Sequence, residues 1–579
     1  MKKKYSSFDS KNDFISRVYV LISLVVIVFF VVFFRLFQIQ IIKHDFYKAL
    51  AQDQHEFFQK TIPKRGEIFI KDLYSEKLYP LAVNKELNIV YAVPKDIEDK
   101  KEVSSRLSRV LDIEQEKVFD IINKENDPYE VIKNKVIADV AEKVRNENII
   151  GIGIRAENVR YYPGNSLASN VVGFFGYKGN KKAGQYGIEE YYNDRLKGVM
   201  GFLEIEKDAS GNWISFGLKS SQSPKDGDDV ILTIDQTVQY ISEKKIKEAV
   251  EKYGAKNGEL IVMDPTSGAI IALAQYPNYN PNEYFKEEDM SIFLSSSVHN
   301  VYEPGSVQKP ITLAIGIDLG KLGPNTTYED RGSLKIDGWP ISNSNGKANG
   351  KQTMIQVLEK SLNTGTVFAV NQVSKNDFYK YLKNFGFDCL TGIEITGETK
   401  GSLSNLKDKK DINYATASYG QGISVTPLAM LNAISSFAND GKLMKPHIVS
   451  EFVNVDGFSE KTESQVVRRV VSSRTANLIS AMMVSVIKNG HAQQAKVKGY
   501  SFAGKTGTAQ IPKKDGRGYE KDKTIHTFVG FGPMPDPKFS ILVKLDEPQN
   551  ASYAADTTAF VFRELSQELL NYYNISPTE

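Results

Sequence analysis

"KGYSFAGKTGTAQI", Lys498–Ile511, mixes β-prone and small residues behind a glycine and reads as a strand. Its centre, Lys505-Thr506-Gly507 followed by Thr508, contains the single Lys-Thr-Gly of the chain. Just downstream, "HTFVGFGPMPDPKFSILVKLD", His526–Asp546, continues the apolar β pattern, and a last helix is expected from about Tyr553 to Tyr573. More than two hundred residues upstream, "GELIVMDPTSGAIIALAQYP", Gly258–Pro277, holds two apolar runs joined by Asp264-Pro265-Thr266-Ser267-Gly268, a hairpin signal. Strands at both ends of a segment with helices between them predict one sheet built from its two termini and flanked by a helical lobe. The fold class expected is α+β, and the domain is placed at 226–579, opening on a strand that ends at Asp235 and a long amphipathic helix.

Between those ends lies "YEPGSVQKPIT", Tyr302–Thr312. It sets Ser306 behind Pro304-Gly305 and Lys309 three residues later, before Pro310. A serine at a helix start is commonly a cap, and proline suits a first turn, so the stretch has a plain structural reading. Ser-x-x-Lys also recurs at Ser242, Ser344, Ser404 and Ser485. "KSLNTG" adds Ser361-Leu362-Asn363, a spacing that recurs at Ser10, Ser210 and Ser374. The order Ser-x-x-Lys, Ser-x-Asn, Lys-Thr-Gly, each in a fitting local setting, is far more specific than any member alone.

The chain has 579 residues, 41% apolar and 25% charged, which supports two or more packed domains and argues against large-scale disorder. A formal net charge of +3 gives no ground for nucleic-acid binding. The six histidines lack ligand spacing, so no metal and no cofactor is expected, and Cys389 stands alone, which rules out an intrachain disulfide. "VYVLISLVVIVFFVVFF", Val18–Phe34, carries no charge and, extended to Phe37, reaches roughly 25–30 Å as a helix, enough to cross a bilayer. Its length exceeds a signal-peptide core, and Lys2, Lys3, Lys4, Lys11 and Arg17 precede it. An uncleaved single-pass anchor in the cytoplasmic membrane is expected, with residues 1–17 cytoplasmic, 18–37 spanning, and a mixed α/β pedestal at 38–225 leading to an extracytoplasmic catalytic domain. Helix-like spacing is read in "IKHDFYKALAQDQHEFFQK", Ile42–Lys60, and in "IEQEKVFDIINKEN", Ile113–Asn126.

With these motifs the chain resembles the class B penicillin-binding proteins, peptidoglycan D,D-transpeptidases of the penicillin-binding and serine β-lactamase superfamily. The resemblance covers nearly the whole chain. "RGEIFIKD" (Arg65–Asp72), "RYYPGNSLASNVVGFFG" (Arg160–Gly176), "GQYGIEEYYNDRLKG" (Gly184–Gly198) and "LTIDQTVQ" (Leu232–Gln239) resemble landmarks of that family. "EPGSVQKP", "YGQGISVTPLAM" and "AGKTGTAQ" resemble its catalytic domain. Three departures stand out: Val307 where the family has Thr after the nucleophile, "FIKDLYS" in place of an Asp-Arg-Asn-Gly segment, and Gly490-His491-Ala492 where Gly-Thr-Ala is common.

The resemblance implies an acyl-enzyme at Ser306, with Lys309 as its base and Lys505 as the second cation that lowers the Lys309 pKa. It implies that Ser361 relays a proton to the leaving D-alanine and that Asn363 holds the donor amide and orients Lys309. Thr506, Gly507 and Thr508 would bind the terminal carboxylate of the stem peptide or of a β-lactam, with the Ser306 and Thr508 N–H groups as the oxyanion hole. The implied partners are D-Ala-D-Ala stem peptides, β-lactams, the lipid bilayer and a membrane-embedded glycan polymerase; the implied setting is cell-wall synthesis in division or cell-shape maintenance. A class A β-lactamase would need a Glu-x-x-x-Asn segment between the second and third motifs, and Thr364–Gly504 contains none. A penicillin sensor would need a cytoplasmic output domain, and a decayed scaffold would show a broken motif.

Overall fold

The computed structural model describes residues 10–42, 56–61, 63–72, 74, 77–124, 128–207, 213–513 and 518–577. They fall into two compact units. The first, residues 1–63 and 199–225, contains the helix Ser10–Phe37, a short π turn Gln38–Ile42, and a three-stranded antiparallel sheet with Gly201–Lys207 between Glu56–Thr61 and Trp213–Gln222. The expected span sits inside Ser10–Phe37, and the described side chains from Leu21 to Phe37 are almost all apolar and exposed. Counted over the described residues alone, no helix is long and apolar enough to cross a membrane. The helix expected over Ile42–Lys60 is corrected at its end: Glu56–Thr61 is a strand, because backbone pairing with Gly201–Lys207 overrides the local spacing, while residues 43–55 lie outside the described ones.

The second unit, residues 64–198 and 226–579, holds two sheets. In the pedestal sheet the strand Ile68–Lys71 lies parallel to Asp229–Asp235 and antiparallel to Leu78–Ala92. Leu78–Ala92 pairs in turn with Ile152–Tyr161 and Glu130–Val136. Asp229–Asp235 also pairs with Val449–Val453, so the strand expected to open the catalytic domain is shared with the pedestal. The helix expected over Ile113–Asn126 is Gln115–Ile122, and its Val118 and Ile122 pack with Leu107 and Val144 in a small separate core.

Beside this sheet the pedestal landmarks meet at one buried carboxylate. Glu189 is fully buried and accepts from Arg65 Nε at 2.7 Å, Arg160 Nε at 2.7 Å and the Tyr162 hydroxyl at 3.1 Å. Arg65 also donates to the Glu189 carbonyl at 2.9 Å and stacks over Phe175. Burial by itself would raise the Glu189 pKa, but the Arg160 and Arg65 guanidiniums outweigh it and hold the carboxyl below its usual range.

The catalytic half begins with helix α1, Gln236–Tyr253, whose first turn is capped by the Asp235 side chain accepting from Val238 N at 2.9 Å. Then come β1, Asn257–Met263, and β2, Ile270–Tyr276, joined by the expected hairpin, in which Gly268 has φ +81°. The helical lobe includes α2, Lys309–Asp318, α3, Asn363–Asn371, and α4, Ser473–Asn489. The chain returns through β3, Ala503–Pro512, β4, Tyr519–Gly532, and β5, Phe539–Asp546, and ends on α5, Thr558–Tyr572, which starts later than Tyr553 because a separate single turn, Ala554–Asp556, precedes it.

The sheet order is β2-β1-β5-β4-β3, antiparallel throughout, so the two ends of the domain meet at β1 and β5. Its centre is fully buried, with Ile261, Val262, Val529, Leu542 and Val543 at 0% exposure. Phe562 of α5 packs on Phe528 of β4, the ring centres 4.5 Å apart. The strand β3 is the last in the order, paired to β4 on one side only, which leaves its other edge to the turn that carries Ser306.

Candidate active site

Ser306 lies in a single 3-10 turn, Gly305–Gln308, and α2 begins at Lys309. The expected single helix is therefore split. In a 3-10 turn residues i and i+3 eclipse, so the split keeps Ser306 and Lys309 on one face. Three contacts fix this turn from outside. Tyr302 and Val425 exchange two backbone hydrogen bonds of 2.9 and 3.0 Å, and Gly305 N donates to Gly420 O at 3.0 Å. Glu303 accepts from Gly422 N and from the Tyr519 hydroxyl of β4, both at 3.0 Å. Gly420 has φ +83°, and a Cβ on it would stand 2.2 Å from the Gly305 oxygen, so "YGQG" is a packing requirement of the turn that carries Ser306.

The strand β3 crosses behind the same turn. A Cβ at Gly507 would come within 3.0 Å of the Pro304 oxygen and of Val307 Cγ1, which is why the third motif closes on glycine. Val307, at 0% exposure, fills the space there, so the residue that departs from the family pattern points into packing rather than into the site.

Lys309 and Lys505 are both fully buried, on α2 and β3, and both reach Ser361 in the turn before α3. Lys309 Nζ donates to the Ser361 carbonyl by a short hydrogen bond and to Ser361 Oγ at 3.2 Å. Lys505 Nζ donates to Ser361 Oγ at 3.0 Å and to the Thr506 carbonyl at 3.0 Å. Ser361 has φ +54°, a left-handed conformation that an ordinary residue adopts at a cost. With both lone pairs of its hydroxyl occupied by lysine donors, the Ser361 proton is the part of that group left to donate. Among the described residues the Ser306 hydroxyl makes no hydrogen bond. The hydrogen bonds of Lys309 go to Ser361, whose carbonyl gives the desolvated amine a strong acceptor.

Burial, then the charge of Lys505, holds Lys309 well below the usual lysine range, and burial pulls Lys505 down to about 7. Among the described residues no carboxylate pairs with either lysine. The pair therefore favours a state in which Lys309 is a neutral amine, which is the form that can accept a proton.

Ser306, Ser361, Asn363, Thr506 and Thr508 line one cavity of about 480 Å³, with the two lysines beneath its wall. Gly507 shapes the wall from behind. The Asn363 amide nitrogen donates to the Ser342 carbonyl at 2.8 Å, and among the described residues Asn363 makes no hydrogen bond to Lys309. The Ser342 loop is held by Asp330, which accepts from Thr364 Oγ1 at 2.7 Å, Asn349 Nδ2 at 2.6 Å and Asn343 Nδ2 at 3.0 Å. Sequence reasoning missed Asp330, and missed Tyr419, His491, Tyr553 and Asp556 as lining of the same cavity. The landmark "YGQG" and the departure at His491 were the two signals available; for Asp330 and Asp556 there was none. Among the described residues no group of His, Cys, Asp and Glu could hold a metal ion, and Cys389 is free and exposed.

A family profile described as the penicillin binding protein transpeptidase domain matches residues 258–567, and one described as the penicillin-binding protein dimerisation domain matches residues 60–232. Stage V sporulation protein D of Bacillus subtilis is 32% identical over 540 residues, covering 92% of this chain and 82% of that protein. A probable peptidoglycan D,D-transpeptidase, PenA, of Neisseria meningitidis serogroup B is 29% identical over 504 residues, 86% of this chain and 84% of that protein. Among solved structures, penicillin binding protein 2X from Streptococcus thermophilus superposes with a TM-score of 0.75 at 23% identity, covering 89% of this chain and 80% of that one. Penicillin binding protein 3 from Mycobacterium tuberculosis, complexed with aztreonam, gives a TM-score of 0.70 at 23% identity over 90% of this chain and 98% of that one. These two structures establish the penicillin-binding transpeptidase fold.

Proposed function

The chain belongs to the class B penicillin-binding proteins and is a serine-type D-Ala-D-Ala transpeptidase, and from that premise we propose a membrane-anchored enzyme that cross-links stem peptides through an acyl-enzyme on Ser306. The convergence of Lys309 and Lys505 on one serine hydroxyl, in the cavity that Ser306 lines, is the observation that carries this reading.

Neutral Lys309 takes the Ser306 proton as the oxygen attacks the penultimate D-alanine carbonyl. The negative charge that develops on that carbonyl oxygen is met by backbone N–H groups of Ser306 and Thr508. Collapse breaks the peptide bond, and the Ser361 hydroxyl donates its proton to the leaving D-alanine nitrogen while a lysine N–H resupplies it. Thr506, Thr508 and the positive field of Lys505 receive the terminal carboxylate. An amine of a second stem peptide then displaces Ser306 and forms the cross-link. A β-lactam presents a similar carbonyl and carboxylate and acylates the same serine; the Mycobacterium tuberculosis neighbour is known in complexes with aztreonam and with ampicillin.

The uncharged run Val18–Phe34, preceded by five basic residues, supports a single-pass anchor in the cytoplasmic membrane with the catalytic domain outside. Cross-linking consumes glycan strands that another activity must supply, which makes a membrane-embedded glycan polymerase the partner.

The test is peptide mapping by mass after exposure of the soluble part, about residues 43–579, to benzylpenicillin, with Ser306→Ala as control. The expected outcome is a penicilloyl adduct on Ser306 that lasts many minutes and is missing from the variant. Rapid loss of the adduct with accumulating hydrolysed drug would instead mark a β-lactamase.

A further inference from the structure

His526 is a buried histidine that the proposed chemistry leaves unused. It lies on β4 directly opposite Thr508 of β3, so the two side chains stand on one face of the sheet. The ring is at 0% exposure, and burial pulls its pKa down to about 4, which makes it neutral at pH 7. A neutral imidazole has one nitrogen to donate and one to accept. Both are engaged by hydroxyls: Nδ1 meets Thr557 Oγ1 at 2.9 Å, and Nε2 meets Thr524 Oγ1 at 3.2 Å.

Thr557 leads from this ring to the cavity. It lies between the single turn Ala554–Asp556 and the start of α5, and it is fully buried, as is Ala554. The Ala554 carbonyl accepts from the Thr558 hydroxyl at 3.1 Å, and the Ala554 N–H donates to Thr508 Oγ1 at 3.1 Å. Ala555 and Asp556 of the same turn line the cavity together with Ser306 and Thr508. The Thr508 oxygen is thus engaged as an acceptor, and among the described residues nothing takes its proton. A hydroxyl that accepts from a fixed N–H keeps its proton for its open side. Here the open side is the cavity, where the proposed reaction brings the terminal carboxylate.

Resting on the transpeptidase reading above, we propose that His526 is a positioning residue: through Thr557 it sets the turn whose Ala554 N–H orients the Thr508 hydroxyl towards the terminal carboxylate of the substrate. His526 is not among the residues that line the cavity, so it acts through Thr508 rather than on the substrate. Its effect is selectivity for an anionic end group, because a donor aimed beforehand loses less freedom when the carboxylate arrives.

The experiment compares benzylpenicillin, which carries the free carboxylate, with its methyl ester, which keeps the ring and side chain without the charge. Second-order rates of Ser306 acylation are read by intact mass, on the full chain in detergent, for the wild type, His526→Phe, Thr557→Val and Thr557→Ser. The acid-to-ester ratio is taken within each preparation, so any misfolded fraction cancels. The expected result is a ratio about tenfold lower in His526→Phe and Thr557→Val, through a fall for the acid alone. Thr557→Ser keeps the hydroxyl and should keep the ratio of the wild type. In a Thr508→Val background, which lacks the aimed hydroxyl, adding Thr557→Val should leave the ratio where it is. An unchanged ratio in Thr557→Val, equal losses for acid and ester, or a further fall in the Thr508→Val background would overturn the assignment. If neither probe acylates Ser306 in the wild type, the transpeptidase reading fails instead.

Discussion

Two buried charge centres of this protein are built on opposite terms. In the pedestal, Glu189 sits between Arg65 and Arg160 and receives three side-chain hydrogen bonds. In the active site, Lys309 and Lys505 lie together with only hydroxyl and carbonyl oxygens as partners. Opposite charges relieve the cost of burial and hold both groups ionised; like charges add to it and push one group towards neutrality. The first arrangement fixes a shape. The second favours a neutral amine, the form able to accept a proton, and perturbed groups of this kind gather where chemistry is done.

The contrast can be broken at its most sensitive point first. Lys309→Met removes the proposed proton acceptor and a desolvated amine together, so acylation by a fluorescent penicillin should fall by about 10³-fold, read by stopped flow, while the melting temperature stays level or rises. A large loss of stability in that variant would place Lys309 with the pedestal clamp rather than against it.

Next, Glu189→Gln leaves two guanidiniums facing a neutral amide. The expected cost is about 3–5 kcal/mol by denaturant titration, with acylation per folded molecule unchanged. Loss of acylation in the fraction that remains folded would show that the clamp also shapes the catalytic cavity.

The smallest effect is in the pH dependence of stability, and its sign differs between the two centres. Glu189 has a lowered folded-state pKa, so its contribution is complete above the value of the unfolded carboxylate and is lost as pH falls through the folded one. Lys309 also has a lowered folded-state pKa, but as a base it binds its proton better in the unfolded chain. Relative to Lys309→Met, the wild type should therefore gain stability as pH rises from the folded value towards about 10.4, by at most about 1.4 kcal/mol per pH unit. Melting curves of both variants against the wild type across pH would show the two slopes at opposite ends of the scale; a flat difference for Lys309→Met would mean that its amine is not desolvated as described.

Some of this was legible before any coordinates. The runs Gly258–Pro277 and His526–Asp546 have the composition of buried strands, and Asp264–Gly268 has the chemistry of a turn, so a sheet assembled from both ends of the domain could be read directly. Local spacing was less reliable where pairing partners were remote. Glu56–Thr61 looked helical until its partner strand was in place, and α5 begins at Thr558 because a separate turn is interposed. Asp330 could not be read as part of the site, since its relation to Thr364, Asn343 and Asn349 is a matter of a loop folding back on a helix start. The landmarks around Arg65, Arg160 and Glu189 were recognisable as motifs, but nothing in their order said that they meet at one carboxylate.

The sequence by itself determined which groups the proposed chemistry rests on: a serine three residues before a lysine, a second serine two before an asparagine, and a single Lys-Thr-Gly in a strand. Those are covalent spacings, and a helical turn or a strand converts them into local geometry without outside help. Only the tertiary structure decided what the groups became. Ser361 lies 52 residues from Lys309 and 144 from Lys505. Packing had to bring the three together, turn the Ser361 backbone to a positive φ, and exclude water from both amines. A lysine pKa depends on the solvent and charges around its nitrogen, and those are set by segments remote in the chain, so proton affinity is a property of the fold rather than of the motif.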